Sequence, residues 1–225
     1  MTNTLLAQLT EKNSVSSVPP WLSLLRAALA RPLPGLAAQM GMAPVPRPGT
    51  DRIVDATLNC RRAGVLALFY PCDGELCLVL TRRTDAVDTH RGQISFPGGS
   101  MDPGEDAAAA ALREAREELA VDTAPLEVLG ELSPLYIPPS GFCIYPVVAY
   151  AAERPDFVPN PGEVAEVLEV TLAHLLDPGT RGEEIWPIRG ADVRVPFYRV
   201  GHHKVWGATA MVLCELLELI QEANR

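Results

Sequence analysis

The chain has 225 residues, 48% of them hydrophobic and 21% charged, with a formal net charge of -9. That composition fits one substantial globular domain, and the acidic balance excludes a broad nucleic-acid surface, leaving room for a local basic pocket around a small polyphosphate. No apolar run approaches the roughly 18 residues of a membrane span, and the first residues lack a basic segment followed by an apolar one, which points to the cytoplasm and away from membranes.

Residues Met1 to Val18 are polar and rich in Ser and Thr, and read as a loose leader. Beyond Pro20, the residues Trp21, Leu22, Leu25, Ala28 and Leu29 recur at helical spacing until Pro32 stops the pattern, so a short helix packing on the domain is expected. The prolines and glycines of Leu33 to Asp51 mark a connector. The chain therefore divides into a leader, 1–50, with one short helix and a Pro-rich connector, and a main domain, 51–225. That domain opens with apolar runs at Ala63 to Tyr70 and Glu75 to Thr81, separated by the turn residues PCDG, a hairpin of buried strands. Four basic or potentially basic side chains follow, Arg82, Arg83, His90 and Arg91.

From Phe96 to Val121 the sequence reads FPGGSMDPGEDAAAAALREAREELAV. Asp102 suits a helix N-cap, Pro103 the first helical position, and Glu105 the position that reaches back to the cap's backbone donor. Five alanines then carry high helix propensity. Residues three and four apart share a helix face, so Ala110, Glu114, Glu117, Glu118 and Val121 form one strip and Ala108, Leu112, Ala115 and Leu119 another, the second fit to pack on a core. The crowded carboxylates of the first strip suit a hard divalent cation, Mg²⁺ or Mn²⁺.

Downstream, Leu126 to Leu132 and Cys143 to Tyr150 read as strands around a turn-rich IPPSGF loop. Glu163 follows Pro161-Gly162 and reads as a loop carboxylate, whereas Glu166 and Glu169 read as strand or surface residues. Arg181 to Pro196 reads as a hairpin, and His202 and His203 as surface histidines before a closing core helix that begins at Val205. The architecture expected is α+β, a mixed β-sheet sandwiched between helices in an α/β/α arrangement. The five cysteines, Cys60, Cys72, Cys77, Cys143 and Cys214, are odd in number and contain no C-x-x-C pair, so they read as reduced thiols. An N-terminal helix with apolar hairpins allows a homodimer that no residue pattern demands.

The run Gly99, Glu105, Arg113-Glu114, Glu117-Glu118, Val121 resembles the Nudix box, G-x5-E-x7-R-E-U-x-E-E-x-G-U with U apolar; Ala120 stands where the box has glycine. The preceding stretch LVLTRRTDAVDTHRGQISFPGG resembles the pattern that coenzyme A pyrophosphatases carry before the box, matching at Leu80, Thr81, Arg83, Gly92 and Phe96 to Gly99, with Asp88 in place of an arginine. NPGEVAEVLEV and the W-G-A-T-A start of the closing helix resemble the same group. The resemblance implies a Nudix fold and metal-dependent hydrolysis of a diphosphate, giving 3′,5′-ADP and 4′-phosphopantetheine from coenzyme A or its acyl derivatives. It implies metal ligation by Glu114, Glu117, Glu118 and the Gly98 carbonyl, with Arg113 holding a carboxylate in place. Glu163, or in competition Glu117, would activate water, and Arg82, Arg83, Arg91 and Gly99 would meet the substrate. Two alternatives stay open here: hydrolysis of another nucleoside diphosphate derivative, favoured by Asp88, and a non-catalytic nucleotide-binding domain.

Overall fold

The computed structural model describes residues 19–47, 59–84 and 92–225. The two apolar runs form β1 (Arg61–Cys72) and β2 (Glu75–Arg83), an antiparallel hairpin turned by Asp73-Gly74, whose φ angles of 50° and 82° give the twist that a two-residue hairpin loop needs. On its other side β1 runs parallel to β7 (Phe142–Tyr150), from Arg61 beside Phe142 to Phe69 beside Tyr150. β3 (Ile94–Ser95) and β8 (Val164–Thr171) extend the sheet from β2, while β5 (Glu127–Glu131) and β6 (Leu135–Ile137) extend it from β7, and β4 (Gly98–Ser100) pairs with the start of β1. One parallel pair among antiparallel ones makes this eight-stranded sheet mixed. A second sheet holds β9 (Arg181–Ile188), β10 (Ala191–Val200) and β11 (His203–Trp206), all antiparallel.

Helices cover both faces of the larger sheet. The alanine-rich segment is α3 (Ala107–Leu119); it follows α1 (Pro20–Leu29) and α2 (Gly35–Gln39), and precedes α4 (Leu172–Leu176) and the closing α5 (Gly207–Ala223). Strand alternation sorts the core. Leu66, Leu68, Tyr70, Cys77 and Val79 pack with Ala107, Ala111, Ala115 and Leu119 of α3, whereas Ala67, Phe69, Leu76, Leu78 and Leu80 pack with α5 and with Leu22, Leu25 and Ala28 of α1. Leu213, Leu216, Leu217 and Ile220 of α5 are buried, each worth roughly 1.5–3 kcal/mol over exposure. The α3 side closes tightly because Gly64 faces the helix: a Cβ there would overlap the Ala107 carbonyl and lie 3.0 Å from the Ala111 nitrogen. The α+β architecture with helices on both faces of a mixed sheet is the one expected.

Three local expectations are corrected. The helix begins one turn later than Asp102 suggests. Its cap is Asp106, whose carboxylate accepts from Ala109 N at 2.8 Å, while Asp102 to Glu105 close a separate turn, Glu105 N donating to Asp102 O at 3.0 Å. Glu105 still reaches back, accepting from Asp102 N at 2.9 Å. The connector contains α2 and a 3₁₀ turn, Met40–Met42, held down by the fully buried Glu215 of α5, which accepts from Gln39 Nε2 at 2.8 Å and from Gly35 N and Ser133 N at 3.2 Å. Finally, the five cysteines are not all thiols. Cys60 and Cys143 are joined by a disulfide across a separation of 83 residues, because the β1–β7 register sets Arg62 beside Cys143 and so brings Cys60 close. Cys72, Cys77 and Cys214 are free. Among the described residues, no helix is long and apolar enough to cross a membrane.

Candidate active site

The site gathers where the C-terminal half of α3 meets the β4 loop and the loop before β8. Helical spacing sets Glu114, Glu117 and Glu118 on the side of α3 towards these loops, and Gly99 lets them approach: a Cβ on Gly99 would overlap the Glu114 carboxylate.

Arg113 organises the carboxylates. Its guanidinium holds Glu105 through two hydrogen bonds of 3.0 Å, donates to Glu114 Oε1 at 2.8 Å and Glu117 Oε2 at 3.2 Å, and reaches the Ser100 carbonyl at 2.9 Å. A planar fork with five donors can satisfy that many acceptors from one position; an ammonium cannot. These bonds lower the Glu105 pKa, with Arg113 as the chief cause, and raise that of Arg113.

Glu118 differs from its neighbours. It is 3% exposed, and its Oε2 is buried without a hydrogen-bond partner. Burial pushes its carboxyl up to about 7; the charges of Glu114 and Glu163 add to the rise, while Arg83 and the Gly98 backbone oppose it. Arg83 Nη1 lies 3.8 Å from Glu118 Oε1. Burial also raises the Glu114 pKa, partly offset by Arg113.

Glu163 is carried to this cluster by the end of α3. The last carbonyls of a helix lack intrahelical donors, and here Asn160 N donates to Glu118 O at 2.8 Å and Val158 N to Leu119 O at 2.9 Å. Asn160 also turns the chain, its side-chain oxygen accepting from Gly162 N at 3.0 Å, and Thr84 N binds Glu163 O at 2.9 Å. The carboxylate of Glu163 is thereby close enough to act electrostatically on Glu114 and Glu118.

The structure brings together Gly98, Gly99, Arg83, Arg113, Glu114, Glu117, Glu118 and Glu163. It does not bring Arg82 there. Successive strand residues point to opposite faces, so Arg82 lies on the α5 side of the sheet, its Nε 3.5 Å from Glu166 Oε2. Arg91, with His90 and Asp88, lies outside the described residues. Sequence reasoning missed the engagement of Glu166, which also meets His203 at 2.9 Å; alternation along β2 and β8 was the available signal. Glu169 stands apart, held by Arg154 at 2.6 and 2.8 Å and by the Tyr70 hydroxyl at 3.0 Å.

The donor set fits a hard divalent cation. All side-chain donors are carboxylate oxygens, Glu114 and Glu118 are both desolvated, and the orphaned Glu118 Oε2 is a buried acceptor with nothing on the protein to satisfy it.

Comparison with known proteins bears on the family. A family model described as the NUDIX domain matches residues 61–187. An uncharacterized Nudix hydrolase, NudL, of Photorhabdus laumondii subsp. laumondii is 37% identical over 164 residues, covering 72% of this chain and 87% of the relative. NudL of Yersinia pestis is 35% identical over 161 residues, covering 71% and 80%. Among solved structures, a Nudix hydrolase from M. smegmatis, RenU, aligns at 27% identity and a TM-score of 0.45, over 53% of this chain and 78% of its own.

Proposed function

This chain belongs to the Nudix family of hydrolases, and on that premise we propose that it splits the diphosphate of coenzyme A and acyl coenzyme A, giving 3′,5′-ADP and (acyl-)4′-phosphopantetheine. The coarser activity, that of a pyrophosphohydrolase, follows from membership, and the complete set Glu114, Glu117 and Glu118 argues against the non-catalytic alternative, because a pure binder has no need of the full carboxylate cluster. The observation that carries the substrate reading is the stretch Leu80 to Gly99, whose matches to the coenzyme A pyrophosphatase pattern run from β2 to β4, both of which pair with β1 beside α3.

In this reading Glu114, Glu117 and Glu118, with the Gly98 carbonyl, hold Mg²⁺ or Mn²⁺. When bound, the cation neutralises charge on the diphosphate oxygens, the main requirement of phosphoryl transfer. The chain's own residues do the rest. Arg113 positions Glu114 and Glu117, anchored in turn by Glu105. Glu163, on a loop pinned to the end of α3, accepts the proton of the attacking water, with Glu117 as the competing base. Arg83, Arg91 and Gly99 meet the substrate; the place of a Cβ at Gly99 is taken by the Glu114 carboxylate, and Arg82 is turned to the other face. A second reading, another nucleoside diphosphate derivative as substrate, is favoured by Asp88, which reverses a charge in the coenzyme A pattern.

Product analysis separates the two. Purified protein with Mg²⁺ or Mn²⁺ is incubated with coenzyme A, acyl coenzyme A, ADP-ribose, NADH, diadenosine polyphosphates and nucleoside triphosphates. Release of 3′,5′-ADP chiefly from the coenzyme A compounds is the expected result; preference for another compound overturns the substrate and leaves the activity. Glu117→Gln abolishes turnover of whichever substrate is cleaved while sparing the fold, and unchanged turnover would sink the metal assignment.

A further inference from the structure

Away from the carboxylate cluster, on the opposite face of the large sheet, the fold assembles a group of different chemistry. β8 sets Glu166 opposite Arg82, on the side where Leu168 and Val170 of the same strand pack towards α5. The β10–β11 hairpin, turned by Gly201-His202, brings two adjacent histidines to the same place. His203 Nε2 lies 2.9 Å from Glu166 Oε2, and the His202 and His203 rings sit with centroids 3.8 Å apart and planes inclined at 39°. One donor atom from each of the three residues lies within 4.8 Å of the other two.

We propose that Glu166, His202 and His203 bind a borderline divalent cation of the zinc class at a site separate from the α3 cluster, and that the ion fastens the three-stranded sheet to the eight-stranded one. Two imidazoles and one carboxylate favour Zn²⁺, Co²⁺ or Ni²⁺ over Mg²⁺, which prefers oxygen alone. Bonds of about 2.0–2.2 Å to a tetrahedral ion set donors roughly 3.3–3.6 Å apart, and the three donor atoms already lie within 4.8 Å of one another. Access is open: the Glu166 and His203 side chains are 38% and 13% exposed, and His202 is exposed. The ligands come from both sheets, Glu166 from β8 and the histidines from the β10–β11 hairpin, so an ion shared between them bridges elements far apart in sequence.

Arg82 makes the proposal specific. Its Nε, 3.5 Å from Glu166 Oε2, competes with a cation for that carboxylate. An ion held only by exposed histidines would ignore Arg82; one that uses Glu166 must draw the carboxylate away from it.

The test uses the untagged full chain, stripped with chelator and returned to excess Mg²⁺ so that the hard-cation site is filled. Co²⁺ and Zn²⁺ are titrated calorimetrically, with the visible spectrum of Co²⁺ reporting tetrahedral nitrogen coordination. One equivalent is expected. His203→Ala, His202→Ala and Glu166→Gln should each weaken it by at least ~100-fold, since even outer-sphere partners cost ~10–100-fold. Glu118→Gln should retain it, and Arg82→Gln should tighten it several-fold. Zn²⁺ should raise the melting temperature of the unaltered chain and not of His203→Ala. Should a histidine variant fail to fold, the Arg82→Gln and Glu118→Gln titrations still decide. Binding lost in Glu118→Gln but kept in Glu166→Gln, binding indifferent to Arg82→Gln, or no binding by the unaltered chain each overturns the proposal.

Discussion

The most exposed consequence of the site is the pH dependence that Glu118 imposes on the metal-free protein. An ordinary glutamate titrates at 4.5, and burial carries Glu118 to about 7. Below about 4.5 the folded and unfolded chains both hold the proton, and burial of the neutral group costs little. Between about 4.5 and about 7 the unfolded chain ionises while the folded one retains its proton, so stability falls as pH rises and levels off above about 7. The gap corresponds to roughly 3 kcal/mol. With a side chain only 4% exposed, solvent screens little of it. Glu118→Gln removes the ionisation at similar shape. In chelator, melting followed by circular dichroism from pH 4.5 to pH 8 should show the unaltered protein losing roughly 6–12 °C relative to Glu118→Gln, taking 2–4 °C per kcal/mol for a chain of this size. Saturating Mg²⁺ or Mn²⁺ should erase the difference at pH 8, because the ion compensates the buried charge. Parallel curves for the two proteins in chelator would refute the argument, since no buried carboxyl would then be costing stability at neutral pH.

Ala120 and Arg113 offer two sharper local tests. Ala120 ends α3 in the left-handed region, φ 55° and ψ 25°, where a side chain costs about 1–2 kcal/mol and glycine's extra unfolded-state freedom about 0.5–1. Ala120→Gly should therefore stabilise by about 0.5–1 kcal/mol in guanidinium unfolding, and a lowered midpoint would contradict the assignment. Arg113→Lys keeps the charge but loses the fork that spans Glu105, Glu114 and Glu117. Turnover should drop roughly 10- to 100-fold, as for other residues that orient ligands, with a rise in the Mg²⁺ concentration for half-maximal rate; an unchanged metal requirement would make the residue merely structural.

Much of this was legible in order along the chain. The strands β1 and β2, the carboxylate face of α3 and the closing α5 rest on interactions within a few residues, so apolar runs, helical spacing and turn residues were enough to place them. The neighbourhood of Glu114, Glu117 and Glu118 follows from helix geometry alone. Even here a local reading slipped by a turn, because Asp102 and Asp106 are both competent caps and the intervening Pro103-Gly104 turn decided between them.

What only tertiary structure decided are meetings across long stretches of chain. Arg83 comes to Glu118 through the pairing of β2 with β1 and the packing of α3 on that sheet, while Arg82, one residue away, is sent to the other face by strand alternation. Glu163 reaches the cluster because Val158 and Asn160 satisfy carbonyls that α3 leaves unpaired. Cys60 finds Cys143 through the parallel register of β1 and β7, and Glu166 finds His203 where two sheets abut. Sequence periodicity reports which face of its own element a residue occupies; which distant element that face meets is set by burying both faces of one sheet at once, a condition on the whole chain that no short window contains.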